Sequence, residues 1–127
     1  LLKCLIVLSP SHPASSMRSR LPKECISPFT LQLERAASLL RALADGPRLH
    51  ILKVLDKKET CVSDIAKALN DKLSTVSQRL RILRAEGLVK KRRAGKQLFY
   101  SLADQHVSSL VNNALDHAAE LESHHDH

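Results

Sequence analysis

The strongest constraint on how this chain folds is a pair of short helical patterns set almost back to back between residues 62 and 86. Val62, Ile65, Ala66 and Leu69 recur at the spacing of one helix face, and Val76, Leu80 and Leu83 repeat that spacing after a turn at residues 70–73. The pattern predicts a first helix, a tight turn, and a second helix capped by Ser74, running to Glu86 and ended by Gly87 in the left-handed conformation. Two short helices joined in this way, the second rich in arginine, read as a helix-turn-helix. On the second helix Thr75, Gln78 and Arg81 point away from the apolar face, with Ser74, Ser77 and Arg79 beside them. These residue types read DNA: Arg and Gln pair with guanine and adenine edges, and Ser or Thr reaches bases or phosphates.

The flanking segments extend this unit. Leu33, Ala36, Ala37, Leu40, Leu43 and Ala44 predict a helix of about 15 residues stopping near Asp45-Gly46. Asp45 then caps a helix with Pro47 in its first turn and Leu49, Leu52 and Leu55 buried. Downstream, Leu88–Lys91 and Gln97–Leu102 predict two strands around a turn at residues 92–96, with Gln97, Phe99 and Ser101 alternating against Leu98, Tyr100 and Leu102. A hairpin tipped by Arg92, Arg93 and Lys96 is a wing, and its cations are expected on phosphates or in the minor groove. The fold class is therefore mainly α with a small β-hairpin wing, a winged helix-turn-helix. Double-stranded DNA is the expected partner.

Charge supports that partner. The formal net charge is +7, and residues 79–96 hold eight Lys or Arg against the single acid Glu86. Residues 97–127 reverse the balance, with no Lys or Arg, five acids and five of the seven histidines. The chain is basic in its middle and acidic and His-rich at its end.

That last stretch predicts a helix from Ala103-Asp104, with Val107, Leu110, Val111, Ala114, Ala118 and Leu121 in one stripe. Such a stripe suits a helix covering its own domain or a close helix-helix seam. Asp104, His106, His117 and Glu120 flank it and favour the seam. His106 and His117 lie eleven residues apart. That is close to three turns on one face but roughly 16 Å along the axis, whereas a zinc-sized ion needs ligands about 2 Å away. A second copy of the helix, antiparallel across a two-fold axis, brings His106 of one chain opposite His117 of the other. The spacing predicts a homodimer with two equivalent sites.

Other classes find little here. There is no HExxH helix, nucleophile elbow or glycine-rich phosphate loop, so no enzyme is expected. No apolar run approaches the length of a membrane span. Cys4, Cys25 and Cys61 are too few and scattered for a disulfide framework, which argues for a reducing, cytoplasmic compartment. Residues 1–28 hold all but one of the five prolines and read as a disordered leader. The part before Met17 is either a non-native extension or a disordered arm. Residues 29–122 form the folded domain and 123–127 a His-rich tail. His50 reads as structural or exposed.

The order of these features, over residues 33–121, resembles the ArsR/SmtB family of metal-sensing winged-helix repressors. The matching residues are Leu43-Ala44-Asp45 with Pro47-Arg48-Leu49, Glu59 to Asp64, Val76-Ser77 with Leu80 and Leu83, Leu88-Val89, Gly95, and Tyr100-Ser101-Leu102, followed by Asp104, His106, His117 and Glu120. Where many relatives carry His-Gln after the Val-Ser pair, this chain has Gln78-Arg79. The resemblance implies a homodimer that binds its operator when apo and lets go when metal fills sites built from Asp104 and His106 of one protomer with His117 and Glu120 of the other. Derepressed genes would serve metal efflux or sequestration. Two imidazoles and two carboxylates suit tetrahedral Zn(II). Ni(II) or Co(II), with the tail histidines enlarging the shell, is the alternative. The resemblance also implies a second, thiolate-rich metal site at Cys61 and Asp64 with Cys25 of the leader, which would serve Cd(II) or another soft metal. A thiol-based redox sensor using Cys25 and Cys61 is a rival reading of the same cysteines. Cys61 as a small buried side chain is the competing reading.

Overall fold

In the computed structural model the described residues are 27–125. The predicted leader and its Cys25, together with Asp126 and His127, lie outside them. The described elements are α1 (Pro28–Leu43), α2 (Gly46–Lys57), β1 (Thr60–Cys61), α3 (Val62–Leu69), α4 (Leu73–Ala85), β2 (Val89–Ala94), β3 (Gln97–Leu102) and α5 (Gln105–His125). The chain divides into two units, residues 1–37 and residues 38–127. In the first, Ser27 caps the start of α1 by accepting the Thr30 N–H at 3.1 Å, and Phe29, Leu31 and Leu33 are exposed.

The second unit holds the core. Ile51, Leu52 and Leu55 of α2, Ile65 and Ala66 of α3, and Val76, Leu80 and Leu83 of α4 pack together with Leu88, Val89 and Tyr100. Val107 and Val111 from the first turns of α5 join them. Asp45 caps α2 as expected, accepting the Arg48 N–H at 3.1 Å, with Pro47 in the first turn. Asn70, in the left-handed region at φ 53°, ends α3, and the Asp71 N–H reaches back to the Ala66 carbonyl at 3.0 Å. Asparagine tolerates that conformation better than most side chains. Gly87, at φ 74°, ends α4 in the same way, as the sequence predicts.

Two boundaries differ from expectation. Ser74 is not the cap of α4: the helix begins at Leu73 with Lys72 in the capping position. The Asp71 carboxylate accepts the Lys72 N–H at 3.1 Å and the Arg79 guanidinium at 2.5 Å, which fixes the turn early enough for the helix to start at once. Arg92 and Arg93 are not in the wing's turn but on β2, opposite Phe99 and Leu98 of β3. Gly95, at φ 64°, allows a two-residue loop, so pairing continues to Ala94↔Gln97. Only Lys96 of the three predicted tip cations sits in the turn. β1 completes an antiparallel sheet in the order β1-β3-β2.

The C-terminal helix also runs further than its stripe required, continuing through His125 into the predicted tail. Val107 and Val111 are buried, whereas Leu110, Leu115 and Leu121 are exposed. One end of α5 therefore covers its own domain and the rest stands open. Among the described residues no helix is long and apolar enough to cross a membrane.

Candidate functional site

Two groups of predicted site residues occupy different parts of the second unit. The first is the face of α4 opposite the core. Val76, Leu80 and Leu83 are fully buried, which turns Ser74, Ser77, Gln78 and Arg81 to the exterior and leaves Thr75 half-buried. Arg79 is instead drawn to Asp71 across the helix-turn-helix turn, and its guanidinium holds the Asp71 carboxyl below the usual carboxylate range. In this state Arg79 braces the turn that aims α4.

The wing divides its cations similarly. Arg92 binds Glu59 through two hydrogen bonds, at 2.6 and 3.2 Å, and its guanidinium carbon lies 5.2 Å from the centre of the Phe99 ring. The pair lowers the Glu59 pKa and raises that of Arg92. The contact ties β2 to the segment leading into β1, so Arg92 stiffens the wing. Arg93 and Lys96 remain exposed beside the turn.

α4 and the wing meet at an open cleft of about 270 Å³, lined by Leu73 and Ser77 of α4, by Lys96, Gln97 and Leu98 of the wing, and by Cys61, Val62 and Ser63. Ser77 and Lys96, predicted independently, thus border one groove. Ser63, Leu73 and Gln97 share it and were not singled out in the sequence. Leu73 is 55% exposed at the first position of α4, where an apolar residue inside a predicted turn gave no signal. Exposed Lys72, Arg84, Lys90 and Lys91 add positive charge to α4 and β2.

The second group lies along α5. Asp104 caps the helix, its Oδ1 accepting the Val107 N–H at 3.2 Å, and the same oxygen is 3.6 Å from His106 Nδ1. The His106 side chain is 93% exposed, and His117 and Glu120 are exposed further along the helix. Among the described residues, no three His, Cys, Asp or Glu side chains gather closely enough to hold an ion. The structure brings Asp104 and His106 together and leaves His117 and Glu120 apart from them. The donor set fits a borderline cation: two imidazoles and two carboxylates, open to solvent.

The thiol site is less developed. Cys61 is buried on β1, paired with Phe99, and its Sγ lies 3.3 Å from Ser63 Oγ. Asp64 is exposed, and Cys25 lies outside the described residues. His50 is exposed on α2, one of the two readings the sequence left open.

An arginine-bearing helix-turn-helix followed by a cationic β-hairpin defines the winged helix-turn-helix class. Residues 45–91 match the family described as bacterial regulatory protein, arsR family. The chain is 43% identical over 98 residues to the transcriptional repressor SmtB homolog of Synechocystis, covering 75% of this chain and 74% of that protein. It is 40% identical over 88 residues to the cadmium resistance transcriptional regulatory protein CadC homolog of Staphylococcus aureus, covering 68% and 73%. Its fold matches the homodimeric winged helix-turn-helix DNA-binding domain Mb0332 (fragment 1–100) of Mycobacterium bovis with a TM-score of 0.72 at 36% identity, covering 78% of this chain and 92% of that one. The chain belongs to the ArsR/SmtB family of winged-helix transcriptional repressors, and is a regulator of transcription rather than an enzyme.

Proposed function

We propose that this chain is a homodimeric, metal-responsive repressor whose apo form holds operator DNA and releases it when Zn(II) fills two sites shared between protomers. The observation that carries this reading is the layout of α5. Asp104 and His106 are exposed at its start and His117 and Glu120 some three turns later, and these four do not converge within the described residues of one chain. Beside the two histidines Leu110 and Leu121 remain exposed, as a helix awaiting a partner helix requires.

Asp104 and His106 of one protomer, with His117 and Glu120 of the other, would hold the ion. Bound there, Zn(II) supplies a cross-link between two α5 helices. The protein does the rest. Exposed Ser77, Gln78 and Arg81 reach base edges, with Ser74 and Thr75 alongside, while Arg93 and Lys96 lie along the backbone. Arg79 and Arg92 aim α4 and the wing through their carboxylate partners. Half-site spacing is fixed by the DNA repeat, so a small change in the separation of two reading heads is enough to lower affinity. By reciprocity, operator DNA must weaken zinc binding by the same factor.

The test pairs equilibrium binding of Zn(II) with operator titrations, on the wild type and on His117→Ala. Wild type is expected to bind one zinc per protomer and to lose operator affinity with zinc present; the variant loses both responses. Unchanged operator affinity at saturating zinc overturns the reading. Ni(II), Co(II) and Cd(II) run in parallel decide the ion. A Cd(II) response that survives His117→Ala but not Cys61→Ala would move the sensor to the thiol site, which the burial of Cys61 currently disfavours.

A further inference from the structure

The face of α5 turned away from His106 and His117 is bonded to α2. The Ser108 hydroxyl donates to Asp56 Oδ1 at 2.5 Å, and Asn112 Nδ2 donates to Asp56 Oδ2 at 3.0 Å. One turn earlier on α2, Lys53 Nζ donates to Asn112 Oδ1 at 2.6 Å. Both carboxylate oxygens of Asp56 and both polar atoms of the Asn112 amide are therefore engaged. The Ser108 bond, then the Asn112 bond, then the nearby Lys53 charge hold the Asp56 carboxyl below its ordinary range. The four side chains form a closed clasp between two helices.

Its placement gives it a consequence. At 100° per residue, Ser108 and Asn112 stand roughly 150° around α5 from His106 and His117, so the clasp and the two histidines lie on different sides of one helix. Any rotation or shift of α5 imposed from the ligand side must pull on Asp56. α2 in turn buries Ile51, Leu52 and Leu55 against the same core as Val76, Leu80 and Leu83 of α4. Close-packed cores transmit such displacements rather than absorb them.

We infer that the Lys53–Asp56–Ser108–Asn112 clasp is the joint that passes the position of α5 to the reading head, with Asp56 as its positioning residue. The inference rests on the metal-responsive reading above. Packing of Val107 and Val111 holds α5 on the domain, but apolar burial is non-directional and does not by itself fix the rotation of the helix. The directional bonds to Asp56 remove that freedom.

The experiment measures operator affinity with and without saturating Zn(II), by fluorescence anisotropy, on the full wild-type chain and on Asp56→Ala. The readout is the ratio of the two affinities. Asp56→Ala is expected to shrink that ratio by about tenfold, well within the usual range of coupling. Zinc affinity of the free protein and operator affinity of the apo protein should each move by no more than about threefold, since neither set of contact residues is touched. A purely structural role would lower those two affinities and spare the ratio. Ser108→Ala, which removes one bond and leaves Asn112 in place, carries the same expectation at about threefold and serves if Asp56→Ala does not fold. If wild type responds to zinc and both variants respond equally, the inference is overturned. If wild type itself shows no response, the proposed function fails first and the clasp has nothing to transmit.

Discussion

In the reading head, two arginines find partners within the chain, Arg79 at Asp71 and Arg92 at Glu59 and Phe99, and the apolar faces of α3 and α4 close on one another. Along the outer part of α5 the opposite holds. His117 and Glu120 are exposed, and the leucines beside them are left uncovered. The head is built to one chain's specification and the distal half of α5 is not. A region that satisfies itself can present a fixed surface to DNA, whereas a region left open is available for something that comes and goes.

The contrast can be broken most forcefully in the core. Leu80→Ala empties a fully buried position shared by α4 and α2, and should cost about 2–5 kcal/mol at every protein concentration. Leu121→Ala, at a residue 51% exposed, should instead lower stability only where dimer forms, and urea unfolding across a dilution series separates the two. Equal, concentration-independent losses would remove the distinction.

His117→Ala comes next, with a fall in zinc affinity of about 100-fold or more and a melting temperature in chelator close to wild type. A large loss of stability without metal would mean that His117 belongs to the fold. In the head, Arg81→Ala should weaken operator binding by about 1–3 kcal/mol and relax preference at one base position. Lys96→Ala should weaken all sequences alike and reduce the salt slope by about one.

The smallest effect concerns the Asp71–Arg79 brace. The Asp71 carboxyl titrates lower in the folded chain than when unfolded, so its contribution is present above the unfolded value near pH 4. It is lost as pH falls through the folded value. Asp71→Asn should therefore cost a little stability at neutral pH, where the carboxylate contributes, and almost none at pH 3, where the wild type has already lost it, so that thermal melts from pH 3 to pH 7 show a flatter acid side. A variant that loses as much stability at pH 3 as at pH 7 would show that the Asp71 side chain holds the turn by something other than its charge.

Much of the head was legible in advance because its signals are local. Asp45 before Pro47, the helical recurrence of Val76, Leu80 and Leu83, and Gly87 after the second helix each encode their own geometry within a few residues. The misplacements have equally local causes. Ser74 was the best capping side chain in sight, but the start of α4 is set by Asp71, whose second partner lies two turns further on at Arg79. Arg92 read as a tip cation until Gly95 allowed the strands to pair up to the last two loop residues.

The amino-acid sequence by itself determined the order of elements, the basic face of α4 and the positions on α5 that no single helix can converge on one ion. Those follow from periodicity and covalent spacing, which act along the chain. Tertiary structure alone decided that Arg79 and Arg92 brace rather than stand free, that Ser77 and Lys96 border one cleft, and that Asp56 holds Ser108 and Asn112. The reason is distance in sequence: Asp56 and Asn112 are polar residues on exposed-looking helix faces, 56 positions apart, and nothing local marks them as partners. Only the packing of α2 and α5 on a common core turns two ordinary surfaces toward each other.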